Sequence, residues 1–156
     1  FGILGAMGAW TAQTGELSWL PALWALPMSL LVIGILHGNN WRDIDFDTAG
    51  GAQTMASLLG DRLSVAYYGF LVFSPYAVVL AIVAASRLGM GPEMPLTFFV
   101  TFLTLPLAAR LMRRGLARHT STDPSLFRSL DGATGRLNLA FGLLSTAALL
   151  LAAVLR

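Results

Sequence analysis

The chain has 156 residues, of which 56% are hydrophobic and only 12% charged, with a mean hydropathy of +0.70. Soluble globular domains carry about 25% charged residues, so the composition excludes an ordinary soluble domain and points to a membrane protein. There is no cysteine, which excludes disulfides, thiolate metal sites and thiol nucleophiles within these residues.

Charge is absent from residues 17–41, 63–86, 94–109 and 137–155. A bilayer span needs about 20 mainly apolar residues. Three of these gaps are long enough, and the shorter 94–109 gap is extended by snorkelling at Arg110 and Arg113. Residues 1–14 form a first, glycine-rich helix whose small faces suit close packing. Phe1 begins inside a hydrophobic segment without a basic leader, so an incomplete chain is expected. Residues 19–43 are the second helix, with Pro21 in its first turn and a kink expected at Pro27. Gly50-Gly51 breaks the chain, and 52–59 predicts one or two turns of interfacial helix. The third span is 62–85, with a kink expected at Pro75. The fourth is 96–114, with Pro106 inside. A polar connection, 115–132, leads to the fifth, 135–155. The expected fold is all-α: a polytopic transmembrane bundle of five helices in one domain.

These spans make the loops alternate sides. One side holds Arg42, Arg62, Arg110, Arg113, Arg114, Arg118, Arg128 and Arg136; the other holds Arg87 and Arg156. Eight against two is a positive-inside bias, which sets residues 42–62 and 110–136 in the cytoplasm, at a bacterial or archaeal inner membrane. It also explains the sequence pI of 9.7 without a nucleic-acid partner.

The chemistry lies in Asn39-Asn40-Trp41-Arg42-Asp43-Ile44-Asp45-Phe46-Asp47. Carboxylates at the end of a membrane helix are costly unless they bind a cation or face water. Asp43 and Asp47, four apart, stack on one helix face, with Asn39 a turn back and Asn40 within reach. Magnesium takes one or two protein carboxylates and leaves its other positions to water and phosphate oxygens. The stripe is too sparse for a protein cage and suits a metal bridging to a diphosphate. Asp45 is expected to face water or pair with Arg42. The plainer reading is a helix end whose aspartates pair with Arg42 and Arg62.

Residues 39–60, NNWRDIDFDTAGGAQTMASLLG, resemble the second aspartate motif of the UbiA-type membrane prenyltransferases. They look most like the branch that prenylates dihydroxynaphthoate in menaquinone biosynthesis, which reads NNxRDxxxDxxxGKxTLxxRLG. Asn39, Asn40, Arg42, Asp43, Asp47, Gly51, Thr54, Leu59 and Gly60 match. Ala133–Leu144, with Arg136, Gly142 and Leu143, is similar to the family's last helix. The resemblance implies a nine-helix fold in a protein of about 300 residues, of which these are the last five helices. The missing N-terminal helices would carry a first aspartate motif facing this one. It implies a magnesium cofactor, transfer of a polyprenyl group from polyprenyl diphosphate to an aromatic acceptor, and membrane lipids as surroundings. An oligomer or a larger membrane complex is compatible with it. Asp43 and Asp47 are the implied metal ligands. Asn39, Asn40, Arg42 and Arg62 are the implied diphosphate contacts, with Arg42 also able to lock the helix end. Two positions depart from the pattern: the family's Lys is Ala52 and its Arg is Leu58. Both would be natural phosphate partners, and Arg62 or Arg42 would have to substitute.

Those departures motivate a rival: a catalytically inactive, prenyltransferase-like structural subunit that binds lipid or quinone. A transporter with an acidic gate fits less well, because the carboxylates sit at a helix end. His37, near the stripe, is a ligand or base candidate whose plainer role is a hydrogen-bonded helix-end histidine. His119 is expected to be solvated. Tyr67 and Tyr68 are expected at the interface, with the acceptor pocket as the alternative. Arg110, Arg113 and Arg114 reach either a diphosphate or anionic headgroups. Asp123-Pro124 reads as a turn, and Asp131 as the cap of the fifth helix.

Overall fold

A computed structural model describes residues 2–119 and 125–155 of the chain, without the side chains of His119 and Leu126. The Asp123-Pro124 turn lies outside the described residues, as does the solvation of the His119 side chain. Among those described, the secondary structure is entirely helical. The helices are α1 (Ile3–Thr14), α2 (Leu20–Arg42), α3 (Ile44–Ala49), α4 (Met55–Arg87), α5 (Leu105–Leu116), α6 (Ser125–Arg128) and α7 (Leu130–Val154), with a 3₁₀ segment Leu96–Thr104 running into α5. Four stretches are long and apolar enough to cross a membrane: Leu20–Arg42, Met55–Arg87, Leu96–Leu116 and Leu130–Val154. The 12-residue α1 is not among them. It lies on α2 and buries no residue, and its Gly5 and Gly8 face open space.

The sequence explains the departures from uniform helix. Thr101 and Thr104 hydroxyls donate to the carbonyls of Phe98 and Thr101, both at 2.7 Å. That i−3 register matches the 3₁₀ pattern. Leu105 N–H likewise bonds Phe102, three back. Pro106 then supplies a first-turn residue that needs no donor. The fourth span is therefore 3₁₀ in its first half, where a uniform helix was expected. In α4, Gly60 has φ 66° and ψ 172°, a region open essentially to glycine alone. It separates a short N-terminal piece from the long span, as the expected interfacial turn requires. Thr54 and Ser57 start that piece with a reciprocal capping box.

The last helix begins at Leu130, five residues before the expected 135. Ser129 occupies the N-cap position without a side-chain cap bond, so Asp131 does not cap the helix. Thr134 instead braces the first turn through Leu130 O at 2.7 Å.

α2 packs against both α4 and α7 and runs antiparallel to α7. Added Cβ atoms at Gly38, Gly34 and Gly142 would meet Asp131, Thr134 and Met28 in turn. The core between these helices holds Leu31, Trp41, Tyr68, Val72, Leu137 and Phe141. Interhelical hydrogen bonds add to the packing, among them Tyr68 to Thr134 and Tyr76 to Thr104, each 2.7 Å. Tyr68 is thus a core residue, which corrects its placement in an interfacial belt.

Candidate functional site

The site forms where the C-terminus of α2 turns into α3. Asp43 alone separates the two helices, with φ −99° and ψ 15°. Its N–H still bonds Asn39 O, and Asp47 N–H bonds Asp43 O at 2.8 Å. The helical spacing therefore persists across the junction, and the two aspartates stay one turn apart. Gly51, at φ 76°, then reverses the chain so that Ala52 N–H returns to Asp47 O at 2.9 Å.

Arg42 organises the near end. Its Nε donates to Asp43 Oδ1 at 2.9 Å, and one terminal nitrogen donates to Asp43 Oδ2 at 2.8 Å. The same nitrogen reaches Asn39 Oδ1 at 2.6 Å. The other meets Asp131 Oδ2 at 2.7 Å and the Arg128 carbonyl at 3.4 Å. A planar fork on a carboxylate gives direction as well as charge. Arg42 hydrogen bonds hold the Asp43 carboxyl below the usual carboxylate range. Asp45 is exposed and takes no part in this fork.

The other expected residues are less committed. Asp47 is half-buried, and its carboxylate has no hydrogen bond or ion pair among the described residues. Asn40 is half-buried and Arg62 exposed; neither forms a side-chain bond to the aspartates. Ala52 is exposed, and Leu58 is 69% exposed, so both departures face outward. His37 is buried, with Nε2 3.2 Å from the Ser64 carbonyl. The carbonyl only accepts, so Nε2 carries the proton, and Nδ1 has no partner among the described residues. Tyr67 meets the ring edge-on at 4.8 Å.

The sequence alone did not single out the layer beneath. Trp41 is fully buried, and its indole N–H donates to Asp61. Arg118 pairs with Asp61 at 2.9 Å, donates to the Trp41 carbonyl at 2.5 Å, and lies 4.4 Å from the Phe127 ring centre. This group ties Arg118 and Phe127 to the end of α2. The one available signal was the isolated Asp61 directly after Gly60. Arg42, Asp43, Arg118, Phe127 and Arg128 line an open hollow of about 440 Å³.

A family model matches residues 1–133: the UbiA prenyltransferase family. The chain belongs to this family.

UbiA prenyltransferase domain-containing protein 1 of Danio rerio is 38% identical over 97% of this chain and 41% of its own length. The Homo sapiens protein of that name is 34% identical over 97% of this chain and 40% of its own. The Drosophila melanogaster homolog is 33% identical over 92% and 36%. The chain spans about two-fifths of the length of these curated relatives. They are animal proteins, which gives no support to a bacterial or archaeal source. Nor do they support the dihydroxynaphthoate branch as the nearest part of the UbiA family.

The donors at this junction are of the chemical kind that magnesium takes. No group of three or more His, Asp or Glu side chains gathers for a metal among the described residues, so a protein-only cage is absent there. Two carboxylates and an amide oxygen are hard donors of the type magnesium prefers. Asp47 is uncommitted. Asp43 keeps acceptor capacity, because an ionised carboxylate has about four lone-pair sites and Arg42 fills two.

Proposed function

We propose that the protein containing this chain is an integral membrane prenyltransferase. It transfers a polyprenyl group from its diphosphate to an aromatic acceptor. The observation that carries this reading is the Asp43–Asp47 pair, one turn apart at the end of a membrane helix, in a chain of the UbiA family.

In this reading Asp43 and Asp47 would hold magnesium. Facing ligands would come from the part of the UbiA fold that this chain, about two-fifths of the length of its relatives, does not span. Magnesium, when bound, offsets the charge on the departing diphosphate. Arg42 keeps Asp43 ionised and fixes its direction. Asn39 is oriented through the same guanidinium. Asn40 and Arg62 are the side chains left to contact the diphosphate, since Arg42 spends its donors within the protein. The eight arginines on this side support a cytoplasmic aspartate face. Among acceptors, dihydroxynaphthoate is the first to test, on the strength of the Asn-Asn-x-Arg-Asp wording.

The test is prenyl transfer by the full-length protein in membranes, with magnesium titrated. Asp43→Asn and Asp47→Asn should each abolish magnesium-dependent turnover. Unchanged turnover in both would remove the assigned role.

A second reading, a catalytically inactive structural subunit, is favoured by the outward-facing Ala52 and Leu58 and by the internal commitment of Arg42. It predicts no turnover from the wild type, together with a defined complex that survives both substitutions.

A further inference from the structure

A second cluster of arginines lies away from the aspartates, between α5 and α7. Arg110, Arg114 and Arg136 line a cleft of about 260 Å³ with Leu107, Leu111, Ala133 and Leu137. Leu111, Ala133 and Leu137 are buried and form its floor, while Leu107 is 39% exposed at its side. Among the described residues no carboxylate lines it. None of the three guanidiniums forms a hydrogen bond or ion pair among the described residues.

Arg110 and Arg114 are one turn apart, and Arg136 comes from the neighbouring helix. Like charges at this spacing repel, and an anion between them would relieve that repulsion. The cleft's position selects the anion. Arg110 and Arg136 lie six residues inside the ends of their helices, Leu116 and Leu130. At 1.5 Å per residue this is about 9 Å along each helix, and an arginine set back from a membrane-helix end lays its stem on apolar surface with its head toward the headgroups. The volume is below the roughly 300–1,000 Å³ of small-molecule pockets. It suits one phosphodiester, with the hydrocarbon continuing along Leu107.

We infer that Arg110, Arg114 and Arg136 form a binding site for the headgroup of an anionic phospholipid, separate from the aspartate site. Basic pockets between membrane helices bind such headgroups, and each arginine near an anionic surface is worth about fivefold in affinity.

The experiment is lipid retention by the purified full-length protein in mild detergent, read by native mass spectrometry with phosphatidylserine and phosphatidylcholine supplied equally. The wild type should retain phosphatidylserine preferentially. The double variant Arg110→Gln/Arg136→Gln should retain it roughly 25-fold less. Arg113→Gln, which does not line the cleft, should match the wild type. Should the double variant fail to fold, Arg114→Gln alone should lose about fivefold. Equal retention of the two lipids by the wild type overturns the inference, as does unchanged retention in the arginine variants. Displacement of phosphatidylserine by inorganic pyrophosphate would also overturn it, because the cleft would then be a diphosphate site.

Discussion

Arg42 closes on Asp43 with two parallel hydrogen bonds, 2.9 and 2.8 Å, between residues adjacent in sequence. The same guanidinium ties α7 to this junction through Asp131 at 2.7 Å. Lysine has no planar fork and cannot make both contacts. Arg42→Lys should therefore lower the melting temperature, at a cost of about 1 kcal/mol given the partial exposure of the pair. It should reduce prenyl transfer further, because Asp43 loses its fixed direction. Wild-type stability and turnover in Arg42→Lys would show that the fork positions nothing.

Acid should expose the same pair. Arg42 holds the folded-state pKa of Asp43 below its ordinary value. A depressed carboxylate contributes stability that is whole above the unfolded value, about 3.9, and is lost as pH falls through the folded value. The melting-temperature gap between wild type and Asp43→Asn should be constant from pH 7 to 5. Below about pH 4 it should shrink. A gap that persists unchanged to pH 3 would contradict the ion pair as its source.

Asp43 and Asp47 should separate when stability and activity are measured together. The Asp47 carboxylate has no partner among the described residues, whereas Asp43 anchors Arg42. Asp47→Asn should leave the melting temperature within about 0.5 kcal/mol of wild type while turnover falls on the order of 100-fold or more. Asp43→Asn should lose both. Equal destabilisation by the two variants would mean that Asp47 has a structural partner.

These contrasts mark how far the sequence was legible. Charge-free stretches revealed the four spans, because apolar length alone defines a membrane helix. They did not reveal that Leu96–Thr104 is 3₁₀, since an all-apolar run has no polar stripe to show its period. The polar connection was expected to run to 132 and the last helix to start at 135, yet α7 starts at Leu130, because Thr134 braces its first turn and meets Tyr68. The local spacing of Asn39, Asp43 and Asp47 was visible. The partners that hold them were not: Asp131 lies 89 residues from Arg42, and Arg118 lies 77 from Trp41. Nothing in one sequence pairs charges at that distance.

The buried Tyr68 hydroxyl is 2.7 Å from Thr134 Oγ1, which itself donates to Leu130 O at 2.7 Å. Thr134 has one proton, so Tyr68 must be the donor between them. Tyr68→Phe therefore leaves Thr134 with its own bond intact and no stranded donor. The expected cost is about 0.6 kcal/mol, the average for interhelical bonds in membranes. A loss above about 2 kcal/mol would indicate a further role for the hydroxyl.

Asp61 and Arg118 test what holds Arg118 and Phe127 against the end of α2. The pair is partly buried, with side chains 28% and 16% exposed, and Arg118 also covers Trp41 and Phe127. Removing one partner leaves the other charge poorly solvated, so each single change should cost more than the pair is worth. Asp61→Asn and Arg118→Gln should each destabilise, and the double variant should be less affected than their sum. The coupling should exceed about 0.5 kcal/mol, the limit for independent sites. Trypsin should also cleave at Arg128 faster in Asp61→Asn, because Arg118 loses the contact that holds it against α2. Strict additivity, with unchanged cleavage, would mean that the aromatic stacking alone holds Arg118 and Phe127 there.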